Sequence, residues 1–234
     1  MLKIPYAVHP EYTNELVYAE KAQKQVEYIC PACNEKVKLK RGSIRCSHFF
    51  HSVKCSCTNE SYLHYMAKHL VYKHLQDAKT IQINYEYDDS LKREQYLNLF
   101  KLNNHRAFQN VRNNIYDSRE VKQELINIKN LTPKLETKYS DFRPDILLYQ
   151  RQQLSLLEDS LMYDKPIFIE IVVTNASSYK KISSGVPIIE IKVINFDDLR
   201  KIMNNEYEQL FVKLYNFDFL KKKTINIKIG FNNH

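Results

Sequence analysis

The run Pro166-Ile-Phe-Ile-Glu-Ile-Val-Val-Thr174 constrains this chain more than any other stretch. An almost continuous apolar segment of this length reads as a central strand covered on both faces of a sheet. Glu170 sits in its middle. A carboxylate flanked by isoleucines is costly to bury unless an ion or a partner neutralises it, so Glu170 demands a neighbour. Arg143-Pro144-Asp145 is a turn that opens a short apolar strand upstream, and Val186-Pro-Ile-Ile-Glu-Ile-Lys-Val193 forms another strand downstream. Asp145 and Glu170 on neighbouring strands can hold a divalent cation, because hard cations such as Mg²⁺ take oxygen ligands.

The polar segment at 176–184 predicts a short helix, so the strand at 186–193 should return parallel to the Glu170 strand through a right-handed crossover. Leu63, Met66, Ala67, Leu70, Val71 and Leu75 recur at helical spacing and predict a helix from Glu60 to about Lys79. Residues 81–87 alternate as a half-exposed strand, residues 134–139 return to such alternation, and Phe196 opens a further helix. Residues 15–24 fit a strand pair or a short helix equally. Residues 152–163 read as a loop or a turn or two of helix. The stretch at about 90–131, rich in Asn, Lys, Gln and Glu, is expected to be a polar helical insertion that could dock a protein partner. The tail from Lys221 reads as a basic edge strand, whose lysines discourage edge-to-edge pairing.

All five cysteines lie between Cys30 and Cys57, with His48, His51, His64 and His69 in or just after that window. An odd, clustered set in a chain without a recognisable export signal reads as metal ligation rather than as a disulfide framework. Cys30-Pro-Ala-Cys33 is one knuckle, and Cys46-Ser-His48-Phe-Phe-His51 resembles a second. Zinc takes four sulfur or imidazole ligands in a tetrahedron, which two knuckles can supply without a large core. Cys46, Cys55 and Cys57 compete as soft ligands, so a sulfur-rich set such as Cys30, Cys33 and Cys46 with one His is also chemically reasonable. Buried free thiols are the plain alternative.

At 234 residues the chain can bury a full core, and one α/β domain with a small appendage is expected: a zinc-binding module at 1–58 and a larger domain at 59–234. Lys and Arg number 35 against 27 acids, a net charge of +8, which favours polyanionic partners. No apolar run approaches a membrane span, and the first residues lack a secretory pattern, so a cytoplasmic location and no membrane partner are expected.

Taken together, Arg143-Pro144-Asp145, Glu170-Ile-Val-Val-Thr174-Asn175, Gly185-Val-Pro-Ile-Ile-Glu-Ile191, the Cys30–Cys33 and His48–His51 pairs and Glu60-Ser61-Tyr-Leu-His64-Tyr-Met-Ala-Lys68 resemble the competence-protein CoiA-like branch of the PD-(D/E)XK nuclease superfamily. The resemblance covers roughly residues 25–75 and 134–195. It implies a restriction-endonuclease-like mixed sheet flanked by helices, and a Mg²⁺- or Mn²⁺-dependent nuclease with DNA, rather than RNA, as the expected substrate, in competence or in defence against phage. It implies Cys30, Cys33, His48 and His51 as ligands of a structural Zn²⁺, with Phe49 and Phe50 packing that module on the core. It assigns Asp145 and Glu170 to the catalytic metal, Glu60 to a metal or water contact, and His64, Lys68 and Arg143 to the substrate. Glu136 matches a family acid loosely.

The chain departs from the superfamily pattern at Val172, where a lysine is usual. Only the Val172 backbone carbonyl can serve a metal there, and the missing cation must come from elsewhere. Lys180 and Lys181 on the short helix are the substitutes, ahead of Lys192, whose Glu190-Ile-Lys192 triplet lies on the following strand. The departure also admits a catalytically weakened homologue that binds nucleic acid as an adaptor. A zinc-ribbon regulator would explain the cysteines and leave Glu170 without a purpose.

Overall fold

The computed structural model of the chain describes residues 2–11, 15–42, 46–87, 120–150, 166–220 and 224–233. A six-stranded antiparallel sheet comes first: β1 (Lys3–Ile4), β2 (Tyr6–Val8), β3 (Leu16–Tyr18), β4 (Tyr28–Ile29), β5 (Lys36–Lys40) and β6 (His48–His51), in the order β1-β6-β5-β4-β2-β3. The segment at 15–24 thus supplies a strand. Asn34, at φ 59°, closes the turn between β4 and β5, a conformation that Asn tolerates better than most residues.

The long helix α1 (Asn59–Asp77) follows. Thr58 caps it: its side chain accepts the Ser61 N–H, and the Ser61 hydroxyl accepts the Thr58 N–H, a reciprocal capping box. Leu63, Met66, Ala67, Leu70, Val71 and Leu75 form its buried stripe, as the spacing predicted. Each of the larger side chains, Ala67 aside, contributes on the order of 1.5–3 kcal/mol when fully buried. The helix shares one buried cluster with residues of the N-terminal sheet, and the buried Tyr62 hydroxyl donates to the Tyr6 carbonyl at 2.8 Å, tying the two together.

β7 (Thr80–Tyr87) pairs with β8 (Glu120–Asn127) and with β14 (Thr224–Asn232) in a three-stranded sheet. Residues 120–127 are therefore a strand rather than part of a polar helix. Val121, Gln123 and Leu125 are exposed, while Lys122 and Glu124 are half-buried on the same face as the buried Ile126, so this edge strand has an open face and a half-covered one. The remainder of the expected insertion, up to residue 119, lies outside the described residues, as does the expected loop at 152–163.

The third sheet carries the acids. Its order is β13-β12-β11-β10-β9, with β9 (Leu131–Leu135), β10 (Ile146–Gln150), β11 (Ile167–Val172), β12 (Ile188–Lys192) and β13 (Phe211–Tyr215). Every residue of β11 is buried, as a central strand requires. β10 runs antiparallel and β12 parallel to it, with the one-turn helix α2 (Tyr179–Ile182) in the crossover and α3 (Phe196–Met203) following β12. The two faces of this sheet bury different partners. Ile167, Ile169 and Ile171 join the main core with α1, whereas Leu147, Phe168 and Ile188 form a small cluster under Phe142, Ile182 and Tyr215. The fold is thus a mixed α/β arrangement of several sheets and few helices. No helix among the described residues is long and apolar enough to cross a membrane.

Candidate functional site

Cys30 and Cys33 flank the tight turn that leaves β4, where the Asn34 N–H donates to the Cys30 carbonyl at 2.9 Å. His51 ends β6, and Cys57 stands two residues before α1. Their ligand atoms all lie within 4.8 Å of one another. The Cys30 and Cys57 sulfurs are 3.9 Å apart, and Cys33 Sγ is 3.2 Å from His51 Nε2. Ligands about 2.3 Å from a tetrahedral zinc stand roughly 3.8 Å from each other, so the spacing fits. Burial pushes the Cys30 and Cys57 thiols up, so a cation is what would hold them ionised. Burial lowers His51, which keeps its imidazole neutral and able to ligate. This cluster can hold a metal ion and suits a structural zinc.

The fourth member of the cluster is Cys57, where His48 was expected. Strand side chains alternate between faces, so His48 and His51, three apart on β6, point to opposite sides. Phe49 and His51 are the buried pair; Phe50, on the His48 face, is half-buried. The His48 ring turns to the Cys46 carbonyl, its Nδ1 3.1 Å away. Cys46 is exposed, and Cys46 and Cys55 stand outside the cluster.

Beside this module lies a cavity of about 670 Å³ lined by residues from α1, the Arg143–Asp145 turn, the end of β11 and α2. Pro144 has no N–H to offer, and at Asp145 the β10 ladder stops. The Ile171 N–H, left without a backbone acceptor, donates instead to Asp145 Oδ2 at 2.8 Å. His64 Nε2 lies 3.1 Å from the same carboxylate. Burial pushes Asp145 up, but His64, the Ile171 N–H and Lys68 outweigh it and hold the carboxyl below the usual aspartate range.

Glu170 is 8% exposed, and burial pushes it up to about 7, assisted by the charges of Asp145 and Glu190 and opposed by Lys181. Lys181 Nζ donates to Glu170 Oε1 at 2.8 Å. Asp145 and Glu170 thus line one cavity near the end of β11, with their ionisation pulled in opposite directions. Such a pair can share a cation or a proton.

The rest of the wall is built from α1. Glu60 accepts from the Thr174 hydroxyl, and Lys68, only 6% exposed, is paired with Glu136. Spacings of four place Glu60, His64 and Lys68 on one helix face, and all three line the cavity. Arg143 also lines it, with Nε donating to the Glu136 carbonyl at 2.8 Å. Lys68 and Arg143 hold Glu136 below the ordinary glutamate range, Lys68 foremost.

Several expected residues stand elsewhere. Lys180 points away from the acids, 3.6 Å from Asp141 and over the Phe142 ring, because neighbouring residues of a helix project about 100° apart. Lys192 lies over the Phe211 ring and does not line the cavity. The Val172 carbonyl accepts the Val193 N–H at 2.8 Å, so it is committed to the sheet. Glu190, 4% exposed, pairs in register with Glu170 and accepts the Ser177 N–H at 2.9 Å. Its place beside Glu170 follows from the parallel alignment of β11 and β12, a register that strand patterning alone leaves open.

Residues 12–60 match the family model of the competence protein CoiA N-terminal domain. That match contains the whole Cys30, Cys33, His51 and Cys57 cluster and ends on Glu60, at the cavity wall. The likeness covers 49 of the 234 residues and is to that N-terminal domain alone. Neither the curated proteins nor the solved structures contain a match to this chain.

Proposed function

We propose that this chain is a metal-dependent nuclease of PD-(D/E)XK type that hydrolyses phosphodiester bonds of DNA in competence-related processing, with a structural zinc in its N-terminal module. The observation that carries the reading is the convergence of Asp145, Glu170 and Lys181 on one cavity. Lys181 supplies, from α2, the cation that Val172 cannot. The mixed sheet, with its parallel β11–β12 crossover bearing the acids, supports a restriction-endonuclease-like core.

The donor set fits a hard divalent cation: two carboxylates, one ionised and one held near neutrality by burial, open onto the same space. Mg²⁺ or Mn²⁺ held by Asp145 and Glu170 would lower the pKa of a bound water and offset charge on the phosphate oxygens. The chain's own groups do the rest. His64 and the Ile171 N–H fix the Asp145 carboxylate, so its oxygens keep one orientation. Lys181 holds Glu170 and is close enough to orient a water or meet the developing phosphate charge. Arg143, largely exposed at the mouth, contacts the incoming backbone. Lys68, paired with Glu136 behind the cavity wall, braces α1 against the Asp145 turn and adds positive charge for the phosphate. Glu60 and Thr174 close the far wall. Cys30, Cys33, His51 and Cys57 would hold a zinc with no position left open, so its role would be to fold the module.

Incubating the zinc-loaded protein with labelled single- and double-stranded DNA and RNA, with Mg²⁺, with Mn²⁺ or with neither, tests the proposal. Cleavage of DNA that needs the added metal and is lost in Asp145→Ala and Glu170→Ala is the expected result. Tight, salt-sensitive binding with no cleavage under either metal would instead make the chain a weakened homologue that binds without cutting.

A further inference from the structure

The sheet register places more than the acids on this face. Directly paired residues project to the same side, so the pairs Phe168↔Ile188 and Ile188↔Tyr215 define the face of the small cluster. One pleat further along the same face, Glu170 pairs with Glu190 and Glu190 with Lys213. One pleat beyond that, Val172 pairs with Lys192 and Lys192 with Phe211. Thus Phe211, Lys192 and Lys213 share a surface with the catalytic acids, Phe211 two strands away from β11. Two strand spacings amount to roughly 10 Å.

Phe211 is 58% exposed, although its strand neighbours Leu210 and Val212 are buried. The Lys192 and Lys213 ammonium groups lie 6.0 and 5.9 Å from its ring centroid. A groove of about 750 Å³, lined in part by Phe211, Lys213, Ile227 and Lys228, runs beside it. An exposed aromatic ring beside two ammonium groups matches one ligand chemistry well: an unpaired nucleobase for the ring, with its flanking phosphates for the lysines. A duplex keeps its bases stacked on each other and cannot offer one to a ring on a flat sheet face.

We propose that Phe211, Lys192 and Lys213 form a binding platform for single-stranded nucleic acid, on which one base stacks while the strand runs on to the Asp145–Glu170 cavity. This rests on the reading that the cavity acts on a nucleic-acid strand. It makes a single strand, or an end opened from a duplex, the substrate form, and it gives Lys192 a role that the Glu190-Ile-Lys192 triplet does not suggest. Glu86 and Glu208, also on the groove, disfavour a phosphate there and leave that space to bases.

The test is fluorescence anisotropy of labelled oligonucleotides on the full, zinc-loaded chain, without added Mg²⁺ or Mn²⁺, so that binding is read in the absence of cleavage. Phe211→Ala should weaken binding of a single strand about 10-fold, while Phe211→Tyr stays within about two-fold of the parent. An oligonucleotide of abasic sites should bind the parent and Phe211→Ala alike. Joint Lys192→Gln and Lys213→Gln should flatten the slope of log affinity against log salt by about 1.4, as two single-strand phosphate contacts require. Thermal melts of each variant within a few degrees of the parent exclude misfolding as the cause. Unchanged single-strand binding in Phe211→Ala, or an equal loss on the abasic strand, overturns the proposal and leaves the ring to a protein surface. A chain that shows the platform effects yet never cuts with any metal would sink the nuclease reading alone. One that cuts through Asp145 and Glu170 with Phe211→Ala binding normally would sink the platform alone.

Discussion

Replacing Glu170 with Gln should make the zinc-loaded, Mg²⁺-free protein progressively more stable relative to the parent as pH rises from 5 to 8. Burial raises this carboxyl to about 7 from an ordinary value of 4.5, with Asp145 and Glu190 pushing the same way. The folded chain therefore holds the Glu170 proton more tightly than the unfolded chain does. Proton binding favours folding below the unfolded value, and that advantage is lost as pH climbs from about 4.5 through about 7. The gap of 2.5 units, at about 1.36 kcal/mol each, corresponds to roughly 3 kcal/mol. Glutamine is neutral throughout and escapes the loss. Its weaker bond to Lys181 is a pH-independent cost and cancels in the slope, as do thiol and histidine titrations at the zinc cluster common to both proteins. Urea unfolding of parent and Glu170→Gln in zinc-replete, Mg²⁺-free buffer at half-unit steps reads the difference. A rise of about 3 kcal/mol that levels off above pH 8 is expected. A difference that stays flat across this window would mean that Glu170 is solvated or already fully neutralised, and the account of the cavity would fail.

Zinc content separates the two candidate fourth ligands: Cys57→Ala should purify with well under one equivalent of zinc, and His48→Ala with a full one, as read by a colorimetric chelator after denaturation. Lys181→Met should reduce DNA cleavage by about 100-fold, within the range of a lost charge-stabilising group, while Lys180→Met stays within about two-fold; equal losses would place the cation elsewhere. Phe49→Ala, at a fully buried site between β1 and β5, should cost about 3–5 kcal/mol in denaturant unfolding.

The parts of this architecture that the sequence displays are those in which local pattern and burial agree. The β11 run, the α1 stripe and the Arg143-Pro144-Asp145 turn each satisfy a single periodicity or a single backbone constraint, and each lies where expected. The parts it conceals depend on register or on direction. His48 and Cys57 exchange roles because two residues three apart on a strand cannot face one ligand, a fact that follows only once 48–51 is known to be extended. Lys181 displaces Lys180 because a helix of one turn, with no buried stripe, gives no phase to read. The strand at 120–127 hides in polar composition because one of its faces is open. Glu190 and Phe211 come to the site through pairing between strands distant in sequence, and apolar patterning within one strand does not specify its partner's register.

The claim on which the rest depends is that Asp145 and Glu170 hold one divalent cation together. Electron paramagnetic resonance of free Mn²⁺, titrated into zinc-loaded parent, Asp145→Ala and Glu170→Ala, addresses it most directly. One bound Mn²⁺ per parent chain that is lost in both variants is the predicted result; undiminished binding in either variant would contradict it.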